Sequence, residues 1–500
     1  MEVTVLRITE NHKMMMVATA LLFLLSQIPQ PSYSPQNVAI ESPRSTATEG
    51  YGHVSEIKYQ WQEISGFCHW ASSTMALRSA GVDMNLHELF AISGIGFSAA
   101  YVRYEDVMTI LPGAGYRQMV PLDFISEIYG LNYSLYIDRH SDFAELYAQA
   151  MGIWGLDYTA FDGPNEALNL MRNSIDEGYP LVIATDLYYL PPKDYDIVRE
   201  LGVTFDLSGA GHSVVVVGYN DTSQTAWIVD PGVGSFGEYF GYPSDGRWYY
   251  EVSYTNLSIA WSALGYLTVL VRPESNPVSD IQSRLIDFIC DRLEGNRTSY
   301  APSQEDLFFL IFGADAFRAL SLDLNLQGLS LLLDEFDNHQ SRVAAIWHLG
   351  YMTEFTCTLQ YLSFRTALQE LPGLFPSFDL TNAISIGTEA LPHLAALSNN
   401  TTLICTNPSE LGGSLVWDTI IGLSEEYNIQ CDLETAIAPY LDNVTIIGDH
   451  LEVIADSWDS FAAALRQVLS GSALYPTILL VVGSASLFVI MVVVVIRRTR

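Results

Sequence analysis

The chain has 500 residues, 49% of them hydrophobic, and carries 57 acidic against 23 basic side chains, for a formal charge of −34. That length and apolar content supply full cores for two ordinary domains and exclude a disordered chain. The acidity excludes nucleic-acid binding by counterion release, which needs a surplus of Lys and Arg; Lys13, Lys58 and Lys193 are the only lysines. In chain order, Met14 to Leu25 is an apolar run between His12-Lys13 and the small-residue pattern Ser32-Tyr33-Ser34. Residues 1–34 therefore read as a secretory signal or, because Pro35 disfavours cleavage, as an N-terminal anchor. A Ser/Pro/Thr-rich tether covers 35–50.

Residues 51–272 mix helix and strand signals, which predicts an α+β domain. A helix is expected from Cys68 to Ala80, stopped by Gly81. Pro180-Leu-Val-Ile-Ala-Thr reads as a buried strand. The apolar runs Val214–Val217 and Ala226–Val229 flank the turn signal Asn220-Asp221-Thr222-Ser223, and Tyr266–Val271 reads as a closing strand. Arg272-Pro-Glu-Ser-Asn-Pro277 is linker-like. From 273 to 470 the pattern turns helical, with Ile281, Leu285, Ile286, Phe288 and Ile289 on one face and similar spacing from Val343 to Leu371. Ile478 to Ile496 is 19 residues without a charge and precedes Arg497, Arg498 and Arg500. Residues 471–500 are thus expected to be a transmembrane helix with a short basic cytoplasmic tail, and everything between it and the N-terminal segment is expected on the outer side.

An outside location fits the sequons at Asn132, Asn220, Asn256, Asn296, Asn399, Asn400 and Asn443, which predict a glycoprotein. It also favours disulfides. Cys290, Cys357, Cys405 and Cys431 all fall after residue 275, so two bridges are expected among them in one of three pairings, which leaves Cys68 unpaired.

Chemistry concentrates in two fragments. Gln62-Glu-Ile-Ser-Gly-Phe-Cys68-His69-Trp70 sets an amide donor six residues before a thiol that opens a helix. There the orphan N–H groups and the positive dipole end favour thiolate. Gly211-His212-Ser-Val-Val-Val-Val-Gly-Tyr219 leads through the turn to Asp230-Pro231. With the turn centred on Asp221, His212 falls opposite Asp230, close enough for the carboxylate to orient the imidazole. The roles are then Cys68 as nucleophile, His212 as base, Asp230 as orienter and Gln62 as oxyanion donor. His69 reads as structural. Adjacent Cys68 and His69 do not converge with His212 on one ion, so neither metal nor cofactor is expected.

Gln62 to Pro231 resembles the papain-like fold of the bacteriocin-processing leader cysteine peptidases. It is more similar to the N-terminal domain of the butirosin biosynthesis protein H family of acyltransferases. Four segments carry that likeness: Phe67-Cys68-His69, Leu86-His-Glu-Leu-Phe-Ala-Ile-Ser-Gly-Ile-Gly-Phe97, Gly178-Tyr-Pro-Leu-Val-Ile-Ala-Thr-Asp186-Leu-Tyr-Tyr-Leu190 and Gly211–Tyr219. The resemblance implies a papain-like cysteine-protease fold and acyl chemistry at Cys68, with His212 and Asp230; Gln62 follows from the peptidase pattern. The chain is therefore expected to be a membrane-anchored extracellular thiol enzyme. It forms an acyl-enzyme on a peptide, amide or acyl-thioester and releases it to water or an amine. The alternative is a catalytically inactive papain-like surface binding module.

Overall fold

The computed structural model describes residues 50–55, 57–63, 67–93, 95–104, 107–112, 121–141, 144, 158–200, 211–233, 249–295, 309–399 and 415–498. Eleven strands are present among these residues: β1 (Tyr51–His53), β2 (Ala99–Tyr104), β3 (Val107–Pro112), β4 (Leu131–Asp138), β5 (Thr159–Phe161), β6 (Leu181–Asp186), β7 (Gly211–Asn220), β8 (Thr225–Val229), β9 (Tyr250–Ser253), β10 (Thr268–Pro273) and β11 (Phe309–Phe312). The larger sheet runs β5-β4-β10-β6-β7-β8-β9. All its pairings are antiparallel except β4 with β5. Strand β7 is its axis: β6 pairs the first part of one edge and β1 continues that edge at Gly218–Asn220. Its Val214–Val217 run is fully buried, as a continuous apolar stretch in a doubly covered strand should be.

One cover is the helix Cys68–Ser79, the expected thiol helix. It is buried from His69 to Leu77 although His69, Ser72, Ser73 and Thr74 are polar, because those groups are hydrogen-bonded. Ser72 donates to Ser213 O at 3.0 Å and Thr74 to Trp70 O at 2.9 Å. Ala80 caps the helix and Gly81 follows at φ +91°, a left-handed turn that a glycine adopts without a Cβ penalty. The other cover is the helix Gly163–Asp176, whose Asp176 accepts from Tyr219 of β7 at 2.8 Å.

After β10 the chain is mainly helical. The longest of these helices are His339–Leu374 and Leu441–Arg498. This half does not stand apart from the first. Its β11 pairs with β2 in a second sheet of order β11-β2-β3. Arg292 donates to Ser98 Oγ at 2.6 Å, and Thr356 of the long helix donates to Ile110 O of β3 at 2.8 Å. The buried apolar side chains of both halves form one cluster.

One expectation is corrected here. Cys290, Cys357 and Cys431 are free thiols, so the expected pair of disulfides is not formed among the described residues; Cys405 lies outside them. Cys290 is buried against Ala462 O at 3.5 Å, where burial pushes its thiol up to about 12. Cys357 is buried inside the long helix, whereas Cys431 is exposed, 3.6 Å from His339 Nε2. Three thiols in such different surroundings have no common meeting point. Among the described residues no helix is long and apolar enough to cross a membrane. Residues 478–496 form the last turns of the Leu441–Arg498 helix, and their side chains lie outside the description. The expected signal segment and most of the tether, residues 1–49, lie outside the described residues too, as do Asn296 and Asn400.

Candidate active site

Cys68 opens the thiol helix directly after Phe67, whose carbonyl accepts from Ala71 N at 2.9 Å. Its own N–H belongs to the first turn, where no intrahelical acceptor exists. The thiol is half-buried, as a nucleophile that must meet a substrate has to be. Cys68 acts on His212 electrostatically and favours its charged form.

His212 is the second residue of β7 and is buried, and its carbonyl accepts from Thr185 of β6 at 3.3 Å. Its Nε2 donates to Asp230 Oδ1 at 2.8 Å, which leaves Nδ1 for the thiol. The expected residues thus meet, but through a different register. The hairpin pairs Val215 with Val229 and Val216 with Ile228, then slips past a bulge to Gly218 with Trp227 and Asn220 with Thr225. Its turn centres after Asp221. Continuing the Val215–Val229 register sets His212 against Gly232, and Asp230 reaches the ring diagonally from just beyond the end of β8. Side chains as long as His and Asp span that diagonal. The bulge is the feature that simple turn counting omits.

Asp230 is completely buried and is held by several donors. Besides His212, its Oδ1 accepts from Tyr195 Oη and from Gly232 N, both at 2.8 Å, while its Oδ2 accepts from Tyr250 Oη at 2.8 Å. Burial opposes its ionisation, but the imidazolium of His212 and these hydrogen bonds outweigh it, and the carboxyl stays below its ordinary range. Burial likewise opposes the charge on His212. The Asp230 carboxylate and Cys68 overcome that and push the imidazole up to about 10. The site is therefore built to hold an imidazolium against the Asp230 carboxylate.

Gln62 sits beside this arrangement. Its N–H donates to Pro231 O at 3.0 Å, and Tyr59 donates to Val233 O at 3.3 Å. These bonds strap the segment before the thiol helix to the loop that follows Asp230, and the Gln62 side chain is buried there. His69 is also buried; its ring bonds Ser213 Oγ at 3.3 Å and Ser73 Oγ at 3.1 Å, on the far side of β7 from the Asp230 contact. Burial drives it down to about 4, so it stays neutral near pH 7. No group of three or more metal-ligating side chains occurs among the described residues. Two concavities of about 440 and 410 Å³ lie at the opposite end of the thiol helix, around Arg78 to Asp83, and neither is lined by Cys68, His212 or Asp230.

Sequence reasoning missed Tyr195, Tyr250 and Gly232. Tyr195 closes a short 3-10 turn, Lys193–Tyr195, after Pro191-Pro192, and Tyr250 opens β9. Neither lies in a motif that marks a role. Burial of a phenol close to a carboxylate is visible only once the chain has folded.

A thiol at a helix start, an imidazole on a central strand and a carboxylate behind it define the site of a papain-like thiol domain. Residues 54–266 match the profile of the Peptidase_C39 like family, which covers the α+β half of the chain. A solved structure described as a C39-like peptidase from Bacillus anthracis aligns over 45% of this chain and 98% of its own, at 16% identity and a TM-score of 0.26. No curated protein matches the chain. The α+β region is thus related to the C39-like, papain-like cysteine peptidases.

Proposed function

We propose that this protein is a cysteine-dependent peptidase or amidase that works through an acyl-enzyme on Cys68. The observation that carries this reading is the His212 imidazole bonded to the buried Asp230 carboxylate, with the Cys68 thiol acting on the same ring. The thiolate attacks the amide carbonyl carbon, forming the C–S bond. The oxyanion is received by the first-turn N–H of Cys68 and the Gln62 amide. As the C–N bond breaks, the His212 imidazolium gives its proton to the departing amine. Water then loses a proton to His212, attacks the thioester and releases the acid, which returns the thiolate. An amine in place of the water turns the same intermediate into acyl transfer. The sequence likeness to the butirosin biosynthesis protein H family favours transfer, and the peptidase-family match favours hydrolysis.

We also place the enzyme on the outer side of a membrane. The uncharged run Ile478–Ile496 followed by Arg497, Arg498 and Arg500 supports this orientation, as does the apolar run Met14–Leu25.

Iodoacetamide tests the site. Cys68 should label at neutral pH about tenfold or more faster than free cysteine, and His212→Ala should slow it by a similar factor. Slow labelling indifferent to that substitution sinks the enzyme reading and leaves a binding module. Intact-mass measurement after exposure to peptide, ester and thioester panels, with and without an added amine, separates hydrolysis from transfer.

A further inference from the structure

The phenol of Tyr195 is completely enclosed and touches both halves of the ion pair behind the thiol. Its Oη donates to Asp230 Oδ1 at 2.8 Å and lies 3.2 Å from His212 Nε2. The two rings meet edge to face, with centroids 5.8 Å apart. The pocket has no spare room. A Cβ on Gly232 would come within 2.6 Å of Tyr195 Oη, 2.8 Å of His212 Cε1 and 3.0 Å of His212 Nε2. The hydroxyl dipole therefore has one orientation that serves both neighbours, with its hydrogen toward the carboxylate and its oxygen toward the imidazolium N–H.

We propose that Tyr195 is a positioning residue that holds the Asp230–His212 ion pair together by setting its hydroxyl dipole alongside their direct hydrogen bond, in reach of both carboxylate and imidazolium. This rests on the thiol-enzyme reading. Tyr195 acts through its two neighbours, His212 and Asp230. A dipole so aligned stabilises both charges at once, and in a site closed to water that stabilisation is little screened. The charged and titratable groups around the pair are Cys68 at the head of the thiol helix, Asp194 next to Tyr195, and Tyr250 from β9. Tyr250 donates to the other oxygen, Oδ2, and so supports the carboxylate from a second side.

The test compares two alkylating reagents on the intact chain as pH rises. Iodoacetate is an anion and is drawn to a thiolate that has an imidazolium beside it, whereas iodoacetamide is neutral. The ratio of their rates at Cys68 therefore reports the proton on His212. In the native protein the ratio should hold until near pH 10, where His212 is placed by its neighbours. In Tyr195→Phe the fall should begin about one pH unit lower, the size expected for losing one hydrogen bond to a charged group. Tyr250→Phe should move it less. Gly232→Ala crowds the same contact from the other side, pressing on the phenol and the His212 ring together, and should shift the fall in the same direction even if Tyr195→Phe does not fold. A fall at the native pH in folded Tyr195→Phe or Gly232→Ala, with only a lower melting temperature, overturns the proposal and leaves Tyr195 as packing. Slow labelling of the native protein, by contrast, counts against the enzyme reading itself.

Discussion

His69 and His212 are neighbours in the fold with opposite electrostatics, which a sequence does not display. Both are buried, and burial alone disfavours charge on each. Only His212 has a carboxylate and a thiol to oppose that; His69 has two hydroxyls. Cys68, His212, Asp230 and Gln62 were each legible from the residues, because chain order and helix or strand placement bring them together. Tyr195 and Tyr250 were not, since their value lies in contacts made across 35 and 20 residues and in burial. His69 also sets a pH limit. Its folded pKa of about 4 lies below the ordinary value of 6.5, so the unfolded chain binds more protons in that window. Stability is therefore full above pH 6.5 and falls as pH drops toward 4, by ~3 kcal/mol from this residue. Chemical denaturation at pH 7 and pH 4.5 should show that loss, and His69→Gln should flatten the dependence. An unchanged slope in that variant would assign the acid sensitivity elsewhere.

Among the elements, the thiol helix and the β7–β8 hairpin were readable because their signals are local: Gly81 as a stop, and a polar turn between apolar runs. The bulge at Val217 was not, because it follows from packing. Trp227 covers Gly218, where a Cβ would meet its Cε3 at 2.7 Å, and Val54 donates to Val217 O at 2.9 Å. The contact between the two halves was equally hidden. Gly96, in the short turn Ile95–Phe97, lies so close to the long helix that a Cβ would sit 2.7 Å from Ala367 Cβ and 2.9 Å from Ser363 O. Backbone lies on that side, so the helix itself must move. Gly96→Ala should cost about 1–3 kcal/mol in denaturant unfolding, the usual penalty of overpacking. A cost near zero would show that the two halves separate more easily than their contacts suggest.

For the whole molecule, the boundary near residue 273 marks a change of composition and secondary structure, and packing runs across it. β11 completes the small sheet, and Arg292, Thr356 and Gly96 tie the halves together. Charge holds the terminal helix to the rest in a similar way. Arg466 meets Asp287, Asp291 and Glu294, and Arg318 meets Asp315, Asp456 and Asp459. A fragment of residues 51–272 should therefore aggregate or unfold without a cooperative transition, while residues 51–470 should melt in a single one by calorimetry. Two separate transitions in the longer piece would contradict the shared core. The same β11 pairing bears on synthesis. Ribosomes make this chain from the N-terminus, and domains generally fold as they emerge. Here the thiol half cannot bury the edge of β2 or the underside of β3 until residues near 309 and 356 have been made. The thiol half thus emerges from the ribosome as an unfinished body, and its packing is completed late in translation, once the helical half has been made.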